Sequence, residues 1–185
     1  MQKFFLPNKL FLDGYRLDVF EAIKTRRSIR RYRKEPIPEE VLLKVLEAGR
    51  WAPSAKNSQL WNFIVLKDEE IKRKIAEVFP SGRFLADAAC GIAVVTDPKT
   101  SNHAVEDGAA AAQNMLLAAH ALGLGACWLG VYGGVYEEKI KEILNVPKEK
   151  FLVSIISLGF PAETLTAKPR KSLEEILFVN RYGEK

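Results

Sequence analysis

The sequence predicts an α+β domain in which helices flank both faces of a central β-sheet with mixed strand directions. Long helical stretches precede and separate the strands, so that strands and helices alternate only loosely. The 185 residues can bury one core, and we expect a single domain over 17–185 preceded by an N-terminal arm of residues 1–16. Four apolar runs have the length and branched aliphatic content of strands, over residues 62–66, 91–96, 127–131 and 151–158.

Each predicted element follows from apolar periodicity together with the residues that begin or end it. Asp18 and Ser172 suit the caps of the first and last helices, and Pro38 suits a helix start. In chain order we expect a helix from Asp18, a helix over 38–49, an ordered loop over 51–59, a strand over 62–66, a helix over 68–78, a strand over 91–96, a helix over 103–122, a strand over 127–131, a helix over 137–144, a strand over 151–158 and a short helix from Ser172.

The helix predicted over 103–122 contains eight alanines that lie on several of its faces. Small side chains let neighbouring backbones approach closely, so we expect this helix to be buried almost all round. Because the chain is short, such burial requires a second subunit to cover part of the helix.

The segment 26–34 concentrates the positive charge of the chain. Six of its nine residues are basic and none is acidic. The formal net charge of the whole chain is +5, so the remainder is close to neutral, at about −1. Because burial of unpaired charge is prohibitive, the segment must stay in water or meet an anion. One phosphate-sized site explains such local basicity better than a nucleic-acid surface, which needs a wider basic footprint. A solvated basic face is the simpler alternative.

The remaining composition argues against several classes of protein. No apolar run is long enough to span a membrane, and no glycine-rich loop for a dinucleotide or nucleoside triphosphate occurs. Cys90 and Cys127 lie in apolar segments, which indicates free buried thiols in a reducing cytoplasm and argues against a zinc site. His103 and His120 are isolated on one helix, where packing is the commoner role, and we expect neither to be a catalytic acid.

Five segments of the chain form an ordered set of motifs. They are Arg26-Arg-Ser-Ile-Arg30, the loop from Pro53 to Gln59 ahead of Trp61, the helix from Asp107 to Asn114, Gly123-Leu-Gly-Ala-Cys-Trp-Leu-Gly-Val131, and Leu158-Gly-Phe-Pro161 followed by Lys168-Pro-Arg170. In this order the segments resemble the FMN-dependent nitroreductase superfamily, and the chain is similar to its minimal, short members. The resemblance implies a three-layer α+β sandwich that forms an intertwined homodimer, with two FMN sites at the subunit interface built from both subunits.

The resemblance implies that one set of residues holds the phosphate end of FMN. This set comprises Arg26, Arg27, Ser28, Lys168 and Arg170. Guanidinium groups grip phosphate oxygens in pairs, and a serine hydroxyl adds one more hydrogen bond. Solvated basic residues and an exposed loop pair are the alternative interpretations of these positions.

A second set is implied to contact the rest of the cofactor. Arg30 would reach the ribityl chain and the pyrimidine edge, and the Gly130 N–H would donate to flavin N5. The loop residues would contact a flavin bound mainly by the other subunit, although ordinary turn chemistry also explains them. The further members of this set are Pro53, Ser54 and Asn57 in the loop and Leu129 and Val131 on the strand.

Three positions depart from the pattern of the superfamily. Leu60 stands where proline is usual before Trp61, and Gly130 stands where some members carry glutamate. No second lysine lies over 83–87, where larger members contact the cofactor.

The implied function is an FMN-dependent NAD(P)H oxidoreductase that passes hydride to nitroaromatics, quinones or similar electron-poor small molecules by a ping-pong mechanism. Flavin N5 carries the chemistry, so no side chain is assigned a catalytic role. Two alternatives are open: a relative with non-reductase flavin chemistry, such as dehalogenation or flavin fragmentation, and a nucleic-acid-binding module that uses the segment 26–34. We expect a cytoplasmic homodimer with no metal, nucleic-acid or membrane partner.

Overall fold

The computed structural model describes residues 17–185, and the predicted arm of residues 1–16 lies outside the described part. Its centre is a four-stranded sheet with the order β1-β2-β4-β3. The strands are β1 (Trp61–Leu66), β2 (Cys90–Thr96), β3 (Gly125–Gly130) and β4 (Phe151–Gly159).

All three pairs of neighbouring strands are antiparallel, so the prediction of mixed strand directions is wrong for the four strands. A parallel pairing does occur outside these three pairs of strands, as an isolated bridge between Ser28 and Ala126 of β3. Every residue of β2 is buried. Burial on both faces is typical of parallel strands, but here it arises because helices cover both faces of an antiparallel sheet.

Six α-helices surround the sheet, and each begins or ends within about two residues of its predicted position. Asp18 and Asp68 act as N-caps, accepting the N–H of Glu21 at 2.9 Å and of Ile71 at 3.0 Å. Ser172 forms a capping box with Glu175. The helices are α1 (Val19–Thr25), α2 (Glu39–Arg50), α3 (Glu69–Val78), α4 (Ala104–Ala121), α5 (Glu137–Ile143) and α6 (Leu173–Ile176).

Two 3-10 segments complete the described chain, over Ala55–Asn57 and Pro80–Asp87. The first lies in the predicted loop over 51–59. The second is missing from the sequence prediction, because it is short and lacks a helical period of 3.6 residues.

The two largest clusters of the core lie on opposite faces of the sheet. Alternate residues of β2 point to opposite faces, as the pleat requires. Ile92 and Val94 pack in the cluster that contains residues of α2 and α4, whereas Ala93 and Val95 pack in the cluster that contains residues of α3 and α5.

Helix α4 lies close against the sheet through its small residues. A Cβ added at Gly108 would come within 2.8 Å of Val153 Cγ2, so only glycine allows this approach. Ala111, Ala112 and Met115 are completely buried. The opposite face is only partly buried within one chain, and its cover by a second subunit stays a prediction.

Among residues 17–185, no helix combines the length and apolarity that crossing a membrane requires. Both cysteines are free and buried, as predicted.

Candidate cofactor site

Two adjacent arginines at the end of α1, Arg26 and Arg27, share their electrostatic environment with Arg170 from a distant part of the chain. Arg26 is the C-cap of this helix, and its N–H donates to the carbonyl of Ala22 at 3.0 Å. Its guanidinium is partly buried, and this desolvation lowers the pKa of Arg26. The positive charges of Arg27 and Arg170 lower the pKa further. The structure therefore places Arg170, from the segment after β4, within electrostatic reach of the basic segment.

Among the residues that the structure describes, the three guanidinium groups have no acidic partner. Within residues 17–185, no salt bridge joins Arg26, Arg27 or Arg170 to a carboxylate. Arg27 Nη1 donates to the carbonyls of Lys24 at 2.8 Å and Arg26 at 2.7 Å, while Arg27 Nε is buried without a partner. Crowded cations of this kind are stabilised by a bound anion, and a phosphate dianion matches both charge and donor geometry.

Lys168, also predicted to bind the phosphate, lies two residues before Arg170 in an exposed segment. Lys168 is exposed, and its carbonyl accepts a hydrogen bond from Arg170 Nη1 at 3.2 Å. The structure therefore brings the backbone of Lys168 to Arg170, while its ammonium group is free to reach an anion from solvent.

Ser28 connects the basic segment to β3. The Ile29 N–H donates to the Ala126 carbonyl at 3.0 Å, which fixes Ser28 against the strand. The neighbouring Cys127 thiol points to the Trp128 carbonyl at 3.7 Å, and its pKa is raised chiefly by burial. Cys127 is buried, as expected for a core residue.

Strand β3 leads from this point to Gly130, which is exposed. A Cβ added at Gly130 would meet only Trp128 Nε1, at 3.9 Å, so open space lies beside this residue. Leu129 and Val131 are buried in the core. Their side chains point away from that space, and any contact they make there is through the backbone.

Arg30 faces a cavity of about 510 Å³ next to the basic segment. Its guanidinium lies 5.6 Å from the ring centroid of Phe84, and its Nη1 donates to the Ser28 carbonyl at 3.3 Å. Arg83 lines the same cavity. Arg83 has no role assigned from the sequence, and the segment Pro80–Asp87 brings it to the same cavity as Arg30.

The loop residues predicted to contact the flavin lie in a segment with a strained backbone. Ser54 Oγ accepts the N–H of Gln59 at 3.0 Å. Lys56, Asn57 and Gln59 have φ values of +53°, +54° and +48°. Three non-glycine residues in the left-handed region cost energy, and such strain is typical of functional loops.

Asp107 is the anchor of this loop and was not assigned a role from the sequence. Its side chain is 6% exposed, and its two carboxylate oxygens lie 3.1 and 3.2 Å from the Ala55 N–H. An acidic residue in the first turn of a helix has a common dipole explanation, so the pattern alone did not indicate the loop contact.

The structure separates the loop from the arginine group within one chain. Asp107 lies in the first turn of α4, whereas His120 lies in its last turn and contacts Thr25 beside Arg26. At 1.5 Å per residue, these two positions of α4 are about 20 Å apart along the helix axis. One chain therefore presents the two halves of the predicted site at opposite ends of α4.

Neither histidine has the setting of a catalytic acid. His120 Nε2 lies 2.8 Å from Thr25 Oγ1, and the Thr25 hydroxyl itself donates to the Glu21 carbonyl at 2.7 Å. Burial, then the charges of Arg26 and Arg27, lower the pKa of His120. His103 is exposed rather than packed, 3.7 Å from Glu106.

Tyr32, the one aromatic residue inside the basic segment, is buried and unavailable for stacking on a base. Its hydroxyl donates to the Ile29 carbonyl at 2.6 Å, and burial raises its pKa. This burial removes the main stacking group that a nucleic-acid-binding interpretation of the segment requires.

Asp107→Ala is expected to lower the free energy of unfolding by about 1–3 kcal/mol, because it leaves the Ala55 N–H without its acceptor. Urea unfolding measures this change. Glu106→Ala is the control: Glu106 is an exposed neighbour, and its removal is expected to change stability by about 0.5 kcal/mol or less. Equal effects of the two variants would show that Asp107 does not anchor the loop.

The fold and the site were compared with known proteins. A model of the Nitroreductase family matches residues 23–82 and 77–160. A Methanothermobacter thermautotrophicus protein named "Putative NADH dehydrogenase/NAD(P)H nitroreductase" is 45% identical over 152 residues, which cover 80% of each chain. A solved structure of the same name from Parabacteroides distasonis has a TM-score of 0.84 at 32% identity, covering 88% of this chain and 98% of that one. An FMN-dependent nitroreductase from Clostridium difficile has a TM-score of 0.80 at 33% identity, covering 86% and 98%.

The family model and these relatives, together with the antiparallel α+β fold, identify the chain as an oxidoreductase of the nitroreductase class. The chain belongs to the Nitroreductase family. The membership of the nitroreductase superfamily that the sequence predicted is thereby confirmed.

Proposed function

We propose that this enzyme reduces nitroaromatics, quinones or similar electron-poor small molecules in a ping-pong cycle. It uses FMN as its cofactor and NAD(P)H as its co-substrate. The observation that supports the assignment of the site is the electrostatic proximity of Arg26, Arg27 and Arg170, none of which pairs with a carboxylate of residues 17–185.

The residues present fit FMN at both ends. The unpaired guanidinium groups and the buried, unpartnered Arg27 Nε suit a phosphate dianion. The space beside Gly130 suits a planar ring lying along β3. We assign Arg26, Arg27, Ser28, Lys168 and Arg170 to the phosphate, and Arg30, Leu129, Gly130 and Val131 to the ribityl chain and ring, with Pro53, Ser54 and Asn57 from the other subunit.

Hydride transfer is the chemistry that FMN supplies when bound, first from NAD(P)H and then to the acceptor in the same cleft. The chain's own residues bind FMN and its substrates and orient them. Arg30 would hold the pyrimidine edge of bound FMN and would supply a positive charge there that stabilises the reduced, anionic cofactor. The Gly130 N–H is the donor that we assign to N5. No side chain has to transfer a proton.

We propose that two chains complete each site as a homodimer. The loop and the arginine group of one chain lie about 20 Å apart along α4, and we assign the two halves of each site to different chains. Two apolar surfaces support this assembly. On α1, Phe20 is 71% exposed, and near the C-terminus Leu173 is 73% exposed. Further exposed apolar residues on these two surfaces are Val19, Ile23, Ile176, Leu177, Val179 and Tyr182.

Two free, buried thiols, Cys90 and Cys127, support a reducing compartment, and we place the enzyme in the cytoplasm.

The visible spectrum tests the proposed function. Freshly purified protein is expected to show the two flavin bands and to bleach when NADH or NADPH is added without air, and a nitroaromatic or quinone should then restore the bands. Flavin bands that neither nucleotide bleaches would favour the non-reductase relatives. A protein that stays colourless after addition of FMN would contradict the assigned site.

A further inference from the structure

The 510 Å³ cavity beside Arg30 is lined by positively charged side chains that the cofactor assignment does not fully explain. Three arginines line it, namely Arg30, Arg31 and Arg83, together with one acidic residue, Glu163. None of these arginines forms a salt bridge within residues 17–185. Arg30 is assigned to FMN, whereas Arg31 and Arg83 have no assigned role.

The Glu163 carboxylate accepts hydrogen bonds from the backbone of the basic segment. Its Oε1 accepts the N–H of Arg30 at 2.6 Å and the N–H of Arg31 at 3.1 Å. The Ala162 N–H donates in return to the Arg31 carbonyl at 2.9 Å. The carboxylate therefore fixes the cavity wall, and its single negative charge leaves a net excess of two positive charges.

The cavity has both polar and apolar surfaces suited to a nucleotide. Ser81 offers a hydroxyl, and Phe84 offers a ring face that Arg30 already stacks against. Because the cavity shares Arg30 with the cofactor site, a substrate whose reactive end lies on the flavin can extend into it. NAD(P)H is the co-substrate that must reach the flavin and also carries phosphates.

The sign of the charge in the cavity indicates which of NADH and NADPH fits it better. A ribose 2′-hydroxyl is recognised by a carboxylate, whereas a 2′-phosphate is accommodated by arginine. Here arginines outnumber the one carboxylate, whose Oε1 is already occupied by two N–H groups. We propose that Arg31 and Arg83 bind the 2′-phosphate of NADPH, so that the enzyme prefers NADPH to NADH. This inference rests on the proposed function.

Calorimetric binding of adenosine nucleotides to the FMN-loaded protein tests the inference independently of turnover. The wild type is expected to bind 2′,5′-ADP at least about 10-fold more tightly than 5′-AMP, the scale of one charge-assisted hydrogen bond. Arg83→Ala and Arg31→Ala should each remove most of this difference. Arg33→Ala is the matched control, because Arg33 pairs with exposed Glu35 at 3.4 Å and lies outside the cavity lining.

Steady-state kinetics and cofactor titration then separate the possible failures. Arg83→Ala is expected to raise KM for NADPH about 10-fold, with KM for NADH and the Kd of FMN unchanged. Loss of FMN in Arg83→Ala would assign the cavity to the flavin and overturn the inference. Equal binding of 2′,5′-ADP and 5′-AMP by the wild type would overturn the inference too. So would a Glu163→Gln variant in which only the KM for NADH rises, because the carboxylate would then recognise the 2′-hydroxyl. If neither nucleotide reduces the holoenzyme, the proposed function fails, and the calorimetric comparison still decides whether the cavity binds a 2′-phosphate.

Discussion

Arg26→Ala is expected to purify without yellow colour, with an affinity for FMN at least about 100-fold weaker than that of the wild type. Removing one guanidinium from a partly desolvated phosphate site deletes up to two charge-assisted hydrogen bonds, each of about 1.5–3 kcal/mol. Quenching of flavin fluorescence during titration measures this loss directly.

The stability of Arg26→Ala separates a binding role from a structural one. Burial and the charges of Arg27 and Arg170 disfavour the charge on Arg26 in the absence of an anion. The apo-variant is therefore expected to lose less than about 1 kcal/mol of unfolding free energy, an ordinary surface effect. At FMN concentrations 100-fold above the wild-type Kd, the cofactor should stabilise the wild type by about 2.7 kcal/mol and the variant by about 0.4 kcal/mol.

Arg33→Ala is the control for charge alone. It removes one positive charge from the same segment, but Arg33 is exposed and paired with Glu35. Full retention of FMN by Arg33→Ala is expected. Equal FMN loss in both variants would mean that the net charge of the segment, rather than the position of Arg26, determines binding. Full FMN retention by Arg26→Ala would contradict the phosphate assignment.

Local signals made the helices and strands predictable. Asp18, Asp68 and Ser172 each cap a helix through hydrogen bonds to residues no more than three positions away, so the sequence window contains the whole cause. The direction of the strands had no such local cause. Continuous apolar runs such as β2 report burial on both faces, and helices on two sides of an antiparallel sheet produce the same pattern as a parallel sheet.

The part of the candidate site that lies in the dense basic segment was predictable from the sequence. The parts that only the folded chain brings together were not. Six basic residues over 26–34 are visible in the sequence. Arg83 is a single cation in a 3-10 segment without periodicity, and only the folded chain brings it to the cavity of Arg30. The tie between Asp107 and Ala55 joins residues 52 positions apart, which no local pattern reports.

Mixing two variants, each defective in a different half of the site, is expected to restore FMN binding. Arg26→Ala removes the phosphate half, and Ser54→Ala/Asn57→Ala removes the loop half. In a symmetric dimer each site takes the arginine group from one chain and the loop from the other. A mixed dimer then has one site with both halves intact and one site with both halves defective.

The expected recovery follows from this arrangement. Random reassociation of equal amounts makes half of the dimers mixed, and half of the sites in those dimers are intact. FMN binding should therefore return to about one quarter of the wild-type capacity, with wild-type affinity. The measurement is FMN bound per chain after the two variants are unfolded together and refolded, with each variant refolded alone as the control. Recovery no greater than the mean of the two controls would mean that both halves act within one chain. It would also mean that α4 does not separate them as the structure indicates.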